Sequence, residues 1–376
     1  MKKCFLLILF FVCSSVAYGQ QKESIYEMVS NIGLGWNFGG AFDGSATSKA
    51  GTPGFVVNYE EGGDFPPAKE ELFRFVASQG VDAVRIMVMW GEQVDMRTME
   101  IRKHYFDRLN EVVDYIINSG MYCILSFYTD PSSNNDWENW LCADYQNYEL
   151  ISWRFKEIWK QVANRFKDYG PLLVFDSFNE LVDAQCRWEN MPAESYEALN
   201  RLTQDFVDAI RETGGNNMYR NLLVSIYSGQ GCIEKSFEAF EFPRDWTSEK
   251  HIGVSHHLYH IDDTYKCLTD ERSKPAIDWG VHLLNKYFIS KGIPVVMGEF
   301  GMCPLTVADV SAEERCRYYT YLLEKVSEYG ISAIAWDDVA DGMDRYYCRL
   351  SSPTCFQTMK DHAPVSHRKQ WNTSGR

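Results

Sequence analysis

Residues 172–180 have the sequence Leu-Leu-Val-Phe-Asp-Ser-Phe-Asn-Glu, an apolar run that stops at an Asn-Glu pair. A run this hydrophobic is typical of a strand covered on both faces, as in a parallel sheet flanked by helices. Residues 293–301, Ile-Pro-Val-Val-Met-Gly-Glu-Phe-Gly, repeat the pattern with an apolar strand, a glutamate and a glycine that indicates a turn. We therefore expect the polar ends of both strands to open onto a polar site.

Segments of strand and helix character alternate through the rest of the chain. A length of 376 residues suits one barrel with loop insertions, and the sequence shows no repeat, second core or linker. The pattern predicts an α/β protein, a single-domain (β/α)8 TIM barrel. The strands are expected at about residues 31–40, 81–90, 121–127, 172–180, 222–227, 252–259, 293–301 and 331–336.

Glu180 and Glu299 are the candidate catalytic residues. In a parallel barrel the carboxyl ends of all strands lie on one face, so these two side chains are expected to face each other across the mouth. Paired carboxylates in such a cleft are the groups that glycoside hydrolysis requires. A glutamate after a strand can also be only a helix cap or an ion-pair partner in a loop. We favour catalysis because two such glutamates occur together with polar residues on other strands.

Three further strands carry candidate binding residues. Arg85 lies in an otherwise apolar strand, where an arginine needs a carboxylate partner; that partner is either a catalytic glutamate or a structural ion pair on the barrel wall. His257 and Tyr259 lie on one face of their strand because side chains alternate. Asn37 lies in a glycine-rich first strand, and it either contacts ligand or only forms a tight barrel corner.

The N-terminus has the pattern of a secretory signal peptide. Lys2 and Lys3 precede an apolar run, and Ala17-Tyr18-Gly19 has the small-x-small form of a cleavage site. We therefore expect a signal peptide at 1–19, a catalytic barrel at 20–376, and a secreted or periplasmic protein with no transmembrane segment in the mature chain. Cys13 leaves lipid anchoring open, although no small residue of the usual kind precedes it.

Charge and aromatic content narrow the class of partner. The formal net charge of −15 argues against nucleic acid or an anionic membrane surface and is compatible with a neutral polymer. Aromatic residues make up 15% of the chain, and their flat faces suit the C–H faces of sugars as well as a core. Loop tryptophans that are candidates for stacking on sugars are Trp137, Trp140 and Trp188.

The cysteines do not define a disulfide framework by themselves. Cys123 lies inside an apolar strand and is expected to be a buried thiol. An oxidising compartment would permit disulfides, although connectivity cannot be read from sequence. The pairs that are expected to share a face of the barrel are Cys142 with Cys186 and Cys232 with Cys267.

Taken together, these residues resemble glycoside hydrolase family 5, the retaining, cellulase-like barrels of clan A. The likeness extends from Gly33 to about Arg345, with the five motifs in order and one on each of five strands. Some positions depart from the family pattern: Tyr128-Thr129 replaces a His-His pair, Leu181 replaces a proline, and Gly40 replaces an asparagine. The motifs that carry the resemblance are Arg85, Asn179-Glu180, His257-x-Tyr259, Gly298-Glu299-Phe300-Gly301 and Trp336.

The resemblance implies a role for each of these residues. Glu180 would be the general acid/base and Glu299 the nucleophile, while Asn179 would contact the sugar 2-hydroxyl and Trp336 would form the floor of the subsite for the reacting sugar. The substituted rim residues leave the identity of the sugar open. The full set of expected substrate-binding residues is Arg85, Asn179, His257, Tyr259, Trp336, Tyr128 and Asn37.

The leading hypothesis is a secreted retaining endo-β-glycosidase acting on a β-1,4-linked polysaccharide of glucan, xyloglucan or mannan type. The alternative is a non-catalytic carbohydrate-binding barrel derived from such an enzyme. A metalloenzyme is a more distant reading, because the adjacent His256 and His257 point to opposite faces of a strand. We expect a monomer without metal or cofactor, with a polysaccharide or oligosaccharide as partner.

Overall fold

The computed structural model describes residues 22–43, 66–130, 139–189, 191–248, 250–259, 273–301, 310–337 and 341–367. The predicted signal peptide at 1–19, Trp137 and Cys267 lie outside these residues. Eight parallel strands form the centre of the described chain. They are β1 (Leu34–Asn37), β2 (Ala83–Met89), β3 (Tyr122–Tyr128), β4 (Leu173–Asp176), β5 (Leu222–Gln230), β6 (Ile252–Leu258), β7 (Val295–Phe300) and β8 (Ser332–Ala335).

The strands close into a barrel in the order β1-β8-β7-β6-β5-β4-β3-β2, and a helix follows each of them. This alternation confirms the predicted (β/α)8 barrel. Two short hairpins, Val94–Asp95 with Glu100–Ile101 and Met343–Asp344 with Arg349–Leu350, extend the loops after β2 and β8. The helices are α1 (Ile25–Asn31), α2 (Glu70–Ser78), α3 (Lys103–Asn118), α4 (Tyr148–Arg165), α5 (Ala193–Arg211), α6 (Glu234–Glu238), α7 (Ser273–Tyr287), α8 (Ala312–Glu328) and α9 (Pro353–His362).

Two layers of apolar side chains hold the barrel together. The larger layer lies between the strands and the surrounding helices. The smaller one fills the barrel interior, where residues from six strands pack against α1, the helix that precedes β1. Both faces of the strands are therefore covered, which explains their near-continuous apolar sequences. The members of the inner layer include Ile25, Met28, Ala83, Tyr122, Val174, Leu223, Val296 and Ile334.

The segment at 172–180 is a shorter strand than its apolar character predicts. Its ladder with β5 contains only Phe175 and Asp176. The chain bends beyond that point but stays beside β3, because the backbone N–H of Asn179 donates to the carbonyl oxygen of Phe127 at 2.8 Å. Glu180 is thus carried past the end of β4, to the mouth of the barrel. None of the described helices has the length and apolar character needed to cross a bilayer.

Candidate active site

Glu180 and Glu299 face each other at the carboxyl ends of β4 and β7. His257 on β6 lies between them, with its Nδ1 2.7 Å from Glu180 Oε1 and 3.6 Å from Glu299 Oε2. One oxygen of each carboxylate and a ring nitrogen of His257 all lie within 4.8 Å of one another. The side chain of Glu180 is 20% exposed and that of Glu299 only 6%. The two carboxylates therefore occupy one small site, with Glu180 the more accessible to solvent.

Arg85 organises the floor of this site from β2. The side chain is 1% exposed, and its Nη1 donates to Glu299 Oε1 at 2.8 Å, as the sequence predicted. All five guanidinium N–H groups have an acceptor, so the group cannot turn without breaking hydrogen bonds. The remaining acceptors are Asp176 Oδ2 at 3.1 Å, Asn37 Oδ1 at 3.1 Å, Ser126 Oγ at 3.0 Å and Asn179 Oδ1 at 2.8 Å.

Asn179 and Asn37 have different positions relative to the mouth. The Oδ1 of Asn179 accepts from Arg85, which directs the amide Nδ2 of Asn179 away from the guanidinium. Asn37 is fully buried, and its Nδ2 donates to the carbonyl oxygens of Gly298 and Ala335. Its amide is used inside the barrel, so the expectation that Asn37 contacts substrate is wrong. The residue forms the barrel corner and positions Arg85.

Tyr259 provides the second polar contact to Glu299. Its hydroxyl donates to Glu299 Oε2 at 2.8 Å, while Arg85 holds the other oxygen. His256 lies on the opposite face of β6, where its Nε2 contacts the carbonyl oxygen of Gly231 at 3.0 Å. The predicted alternation along this strand is confirmed, and it places His257 and Tyr259 together at the site.

The surroundings of the two carboxyls differ in charge. Burial raises the pKa of Glu180 to about 7, against a smaller opposing effect of Arg85. Burial is also the largest influence on the pKa of Glu299 and raises it, but His257, Arg85 and the Tyr259 hydrogen bond act to lower it. Glu299 thus has a paired cation and a hydroxyl donor at hydrogen-bonding distance, whereas Glu180 has only the histidine. This difference favours a proton on Glu180 and a charge on Glu299.

His257 is a neutral link between these carboxyls. Burial lowers its pKa to about 4, with the charge of Glu299 acting in the opposite direction. A neutral imidazole exchanges one hydrogen bond with Glu180 without adding a fixed charge to the site. It therefore orients Glu180 and leaves the proton of that carboxyl to be transferred.

Trp336 and Tyr128 lie at the rim. Trp336 follows β8 and is partly exposed, and a Cβ on Gly39 would lie 2.9 Å from its ring atom Cη2. Glycine at position 39 therefore makes room for the indole.

Tyr128 ends β3, and the pKa of its hydroxyl is raised by burial and then by the charges of carboxylates that include Glu180 and Glu299. The hydroxyl is therefore influenced by the charges of the site. Trp140, in contrast, is 7% exposed and packs edge-on against Phe127, so the expectation that it lines the cleft is wrong.

The family model described as Cellulase (glycosyl hydrolase family 5) matches residues 43–341 of the chain. The chain belongs to glycosyl hydrolase family 5. The match covers most of the described barrel and includes β2 to β8. It confirms the resemblance drawn from the strand-end motifs and identifies the chain as a cellulase-like member of this family.

Named relatives of this family 5 chain agree with the assignment. Endoglucanase B from Neocallimastix patriciarum is 28% identical over 321 residues, which are 83% of this chain and 64% of that protein, so this chain spans less than two thirds of the relative's length. A broad-specificity endoglucanase from an uncultured bacterium superposes with a TM-score of 0.82 at 27% identity, covering 92% of this chain and 97% of the other. A family 5 enzyme from Prevotella bryantii B14, solved with a xyloglucan tetradecasaccharide, superposes with a TM-score of 0.82 at 29% identity. The match covers 91% of this chain and 99% of the other.

The geometry of the family 5 site suits proton transfer better than metal binding. Glu180, His257 and Glu299 are close enough to hold a cation in principle. Both oxygens of Glu299, however, already accept from Arg85 and Tyr259, and the buried guanidinium would repel a metal ion. The prediction of a site without metal therefore has a physical reason and stays a prediction.

Sequence reasoning missed two residues beneath the site, Asp176 and Ser126. Asp176 is fully buried and pairs with Arg85, and Ser126 on β3 accepts from the same guanidinium. A signal for Asp176 was present, because an aspartate inside an apolar strand needs a cationic partner as much as an arginine does. The two predicted readings of Arg85 are both fulfilled, since it binds one catalytic candidate and one internal acid.

Proposed function

We propose that this family 5 chain is a secreted, retaining endo-β-glycosidase that hydrolyses a β-1,4-linked polysaccharide of glucan type. The observation that carries the proposal is the facing pair of Glu180 and Glu299, with one oxygen of each carboxylate within 4.8 Å of one oxygen of the other. Retaining glycosidases place their carboxyls about 5–5.5 Å apart, and inverting ones about 6.5–9.5 Å, to leave room for a water. The separation here supports direct attack by one carboxylate.

In the first step, Glu180 donates its proton to the glycosidic oxygen while Glu299 attacks the anomeric carbon. The bond from that carbon to the leaving oxygen breaks as the bond to a Glu299 oxygen forms, giving a glycosyl ester and a released sugar hydroxyl. Arg85 and Tyr259 hold Glu299 in place for this attack through hydrogen bonds of 2.8 Å each. His257 keeps the acid on the side of the leaving group.

In the second step, water hydrolyses the ester, and Glu180 acts as the base. The charge of Glu180 raises the pKa of Glu299, and the interaction is reciprocal. Once Glu299 is an ester it no longer carries a charge, so Glu180 becomes easier to ionise and takes a proton from the attacking water. Release of the sugar restores a protonated Glu180 and an ionised Glu299.

The residues around the pair support recognition of a sugar chain. Arg85 holds the Oδ1 of Asn179, which supports donation from Nδ2 to a hydroxyl of the reacting sugar, and the partly exposed indole of Trp336 supports stacking on a sugar ring. The charges of Asp43, Asp130 and both glutamates raise the pKa of the Tyr128 hydroxyl beyond the effect of burial, which supports a position beside the site. The relatives named endoglucanases, and the neighbour that binds a xyloglucan fragment, support a β-glucan backbone as the substrate.

Release of reducing ends from a panel of β-glucan, xyloglucan, mannan and xylan tests the proposal. We expect activity on a β-glucan-backbone polymer, with short oligosaccharides as early products, and its loss in Glu299→Gln. A protein that binds these polymers but releases no reducing ends would be a carbohydrate-binding barrel instead. Products consisting only of monosaccharide from the first minutes would contradict endo action.

Secretion is supported by residues 1–19, whose composition matches a signal peptide. Expression of the full sequence in a secreting bacterial host tests this part separately. The N-terminal sequence of exported protein should begin at residue 20. Retention of the whole chain inside the cell, with Met1 intact, would overturn it.

A further inference from the structure

Two thiols meet between two of the helices that surround the barrel. Cys316 lies in the second turn of α8 and Cys355 in the first turn of α9, and their sulfur atoms are 3.5 Å apart. Among the described cysteines, no other pair of sulfurs is in hydrogen-bonding contact. The two helices pack along each other, so the contact is held by the helices rather than by a flexible loop.

We propose that Cys316 and Cys355 are a cross-linking site, and that they form a disulfide between α8 and α9 when the protein meets an oxidising low-molecular-weight disulfide. A disulfide bond is about 2.05 Å long, so the two sulfurs need to approach by roughly 1.5 Å. Rotation of the two short side chains towards each other shortens this distance without moving either helix far.

The two sulfurs differ in their exposure to solvent, and this difference determines the order in which they react. Cys316 is partly exposed and lines a surface groove of about 670 Å³, together with Lys274 and Arg317, so a small disulfide can reach it. Cys355 is fully buried, and burial raises its pKa to about 12. Cys316 is therefore the thiol that reacts first, and Cys355 is the thiol that completes the bond.

The exchange balances with a disulfide, RSSR, as the oxidant. The Cys316 thiolate bonds to one sulfur of RSSR, the S–S bond of RSSR breaks, and the first RS⁻ leaves and takes up a proton. Cys355 then loses its proton and attacks Cys316 Sγ, which releases the second RS⁻ as RSH. The protein loses two electrons and two protons, and RSSR becomes two RSH.

The structure does not join Cys142 to Cys186, whereas the pair of Cys232 with Cys267 stays a prediction because Cys267 lies outside the described residues. Cys142 and Cys186 are free thiols in the structure, and the Sγ of Cys142 instead donates to the carbonyl oxygen of Trp140 at 3.9 Å. Cys232 donates to the carbonyl oxygen of Ala276 at 3.8 Å. Among the described cysteines, the two sulfurs that meet are those on the packed helices α8 and α9.

The cross-link would stabilise the end of the barrel. It closes the segment from Cys316 to Cys355, which contains β8 and Trp336, and so restricts the unfolded chain. Oxidised protein is expected to melt roughly 3–8 °C above reduced protein. The active site lies outside this contact, so kcat/KM at moderate temperature should be unchanged.

Peptide mapping of the folded full chain tests the proposal directly. The folded protein is incubated with oxidised glutathione, then unfolded in urea with iodoacetamide and without reductant so that buried thiols are also blocked, digested, and analysed by mass spectrometry. We expect a cross-linked peptide pair containing Cys316 and Cys355 that disappears when the digest is reduced. Folded protein in which both cysteines carry the alkyl group after this treatment would overturn the proposal, and this readout needs no variant.

Melting temperatures provide the second readout. Addition of reductant should lower the melting temperature of the oxidised wild type by the predicted amount. The melting temperatures of Cys316→Ser and Cys355→Ser should not respond to reductant. Cys232→Ser is the matched control, because it removes a partly buried thiol outside the pair and should respond like the wild type. An equal response to reductant in Cys316→Ser and wild type would contradict the assignment.

Discussion

Replacement of Glu180 by glutamine should change how the stability of the fold depends on pH. Glutamine keeps the size of the side chain and an oxygen that can accept from His257 Nδ1, but it removes the titrating group. In the wild type, burial raises the pKa of this carboxyl from 4.5 to about 7. Between those values the folded protein holds a proton that the unfolded chain has lost, so the stability of the wild type falls as pH rises.

The size of the effect follows from the two pKa values. Between pH 5 and pH 8, a carboxyl that titrates at 4.5 when unfolded and at about 7 when folded reduces the free energy of unfolding by about 2.5 kcal/mol. Glu180→Gln lacks this contribution. The drop in unfolding free energy from pH 5 to pH 8 should therefore be about 2.5 kcal/mol smaller in the variant than in the wild type.

Urea unfolding at the two pH values measures this difference, because the contributions of groups that do not interact with Glu180 are common to both proteins. Glu313→Gln is the control: its side chain is 84% exposed, and its pH dependence should match the wild type. Equal pH dependence in Glu180→Gln and wild type would refute the reasoning. Glu180 would then titrate as an ordinary carboxyl and could not remain protonated at neutral pH to act as an acid.

Three further predictions concern catalysis. The pH profile of kcat/KM should fall above about pH 7, because Glu180 must carry its proton to act on the leaving group. Tyr259→Phe removes a 2.8 Å hydrogen bond to Glu299, and should lower kcat/KM roughly 10- to 150-fold. Because the lost hydrogen bond lowers the pKa of Glu299 in the wild type, the acid limb of the pH profile should move to higher pH in this variant. Gly39→Ala places a methyl 2.9 Å from the Trp336 ring, and should lower kcat/KM on the best polymer roughly 5- to 150-fold by displacing the indole.

Each of these predictions has a result that would contradict it. Full activity persisting at pH 9 would show that Glu180 is not the required acid. Unchanged kinetics in Tyr259→Phe would mean that its hydroxyl does not support the charge of Glu299. Gly170→Ala is the control for Gly39→Ala, because an added Cβ at Gly170 meets no atom within 4 Å; equal kinetics in the two alanine variants would remove Trp336 from the substrate site.

The fold was predictable because an apolar run in the sequence indicates each strand, and these runs alternate with segments of helical periodicity. The predicted positions of the strand ends were less accurate than the predicted order of the strands. The run at 172–180 continues past the last ladder pair at Asp176, and β5 extends to Gln230 through Ser228 and Gly229, which both have positive φ. Apolar character reports burial, whereas the end of a ladder depends on hydrogen bonds to a neighbouring strand that sequence does not show.

The site was predictable where a residue's place on a strand determines its direction. Glu180, Glu299, His257 and Tyr259 come together because parallel strands end on one face and side chains alternate. How far a side chain lies below the mouth of the barrel could not be predicted in the same way. Asn37 is one layer too deep to meet a substrate, since its amide is satisfied by backbone carbonyls inside the barrel.

Aromatic residues were the least predictable part of the site. An indole in a loop can stack on a sugar or fill a gap in the core, and the two uses have the same composition. Trp140 packs on Phe127 in the core, while Trp336 remains partly exposed at the rim because Gly39 leaves space beside it. The difference depends on contacts between β1 and β8 that are remote in the sequence.

The stereochemistry of hydrolysis tests the central claim most directly. Proton NMR of the reaction in its first minutes identifies the anomer that is released before mutarotation mixes the two forms. Double displacement through Glu299 predicts that the β-anomer appears first and the α-anomer follows only by equilibration. Initial appearance of the α-anomer would show a single displacement by water, and Glu299 could then not be the nucleophile.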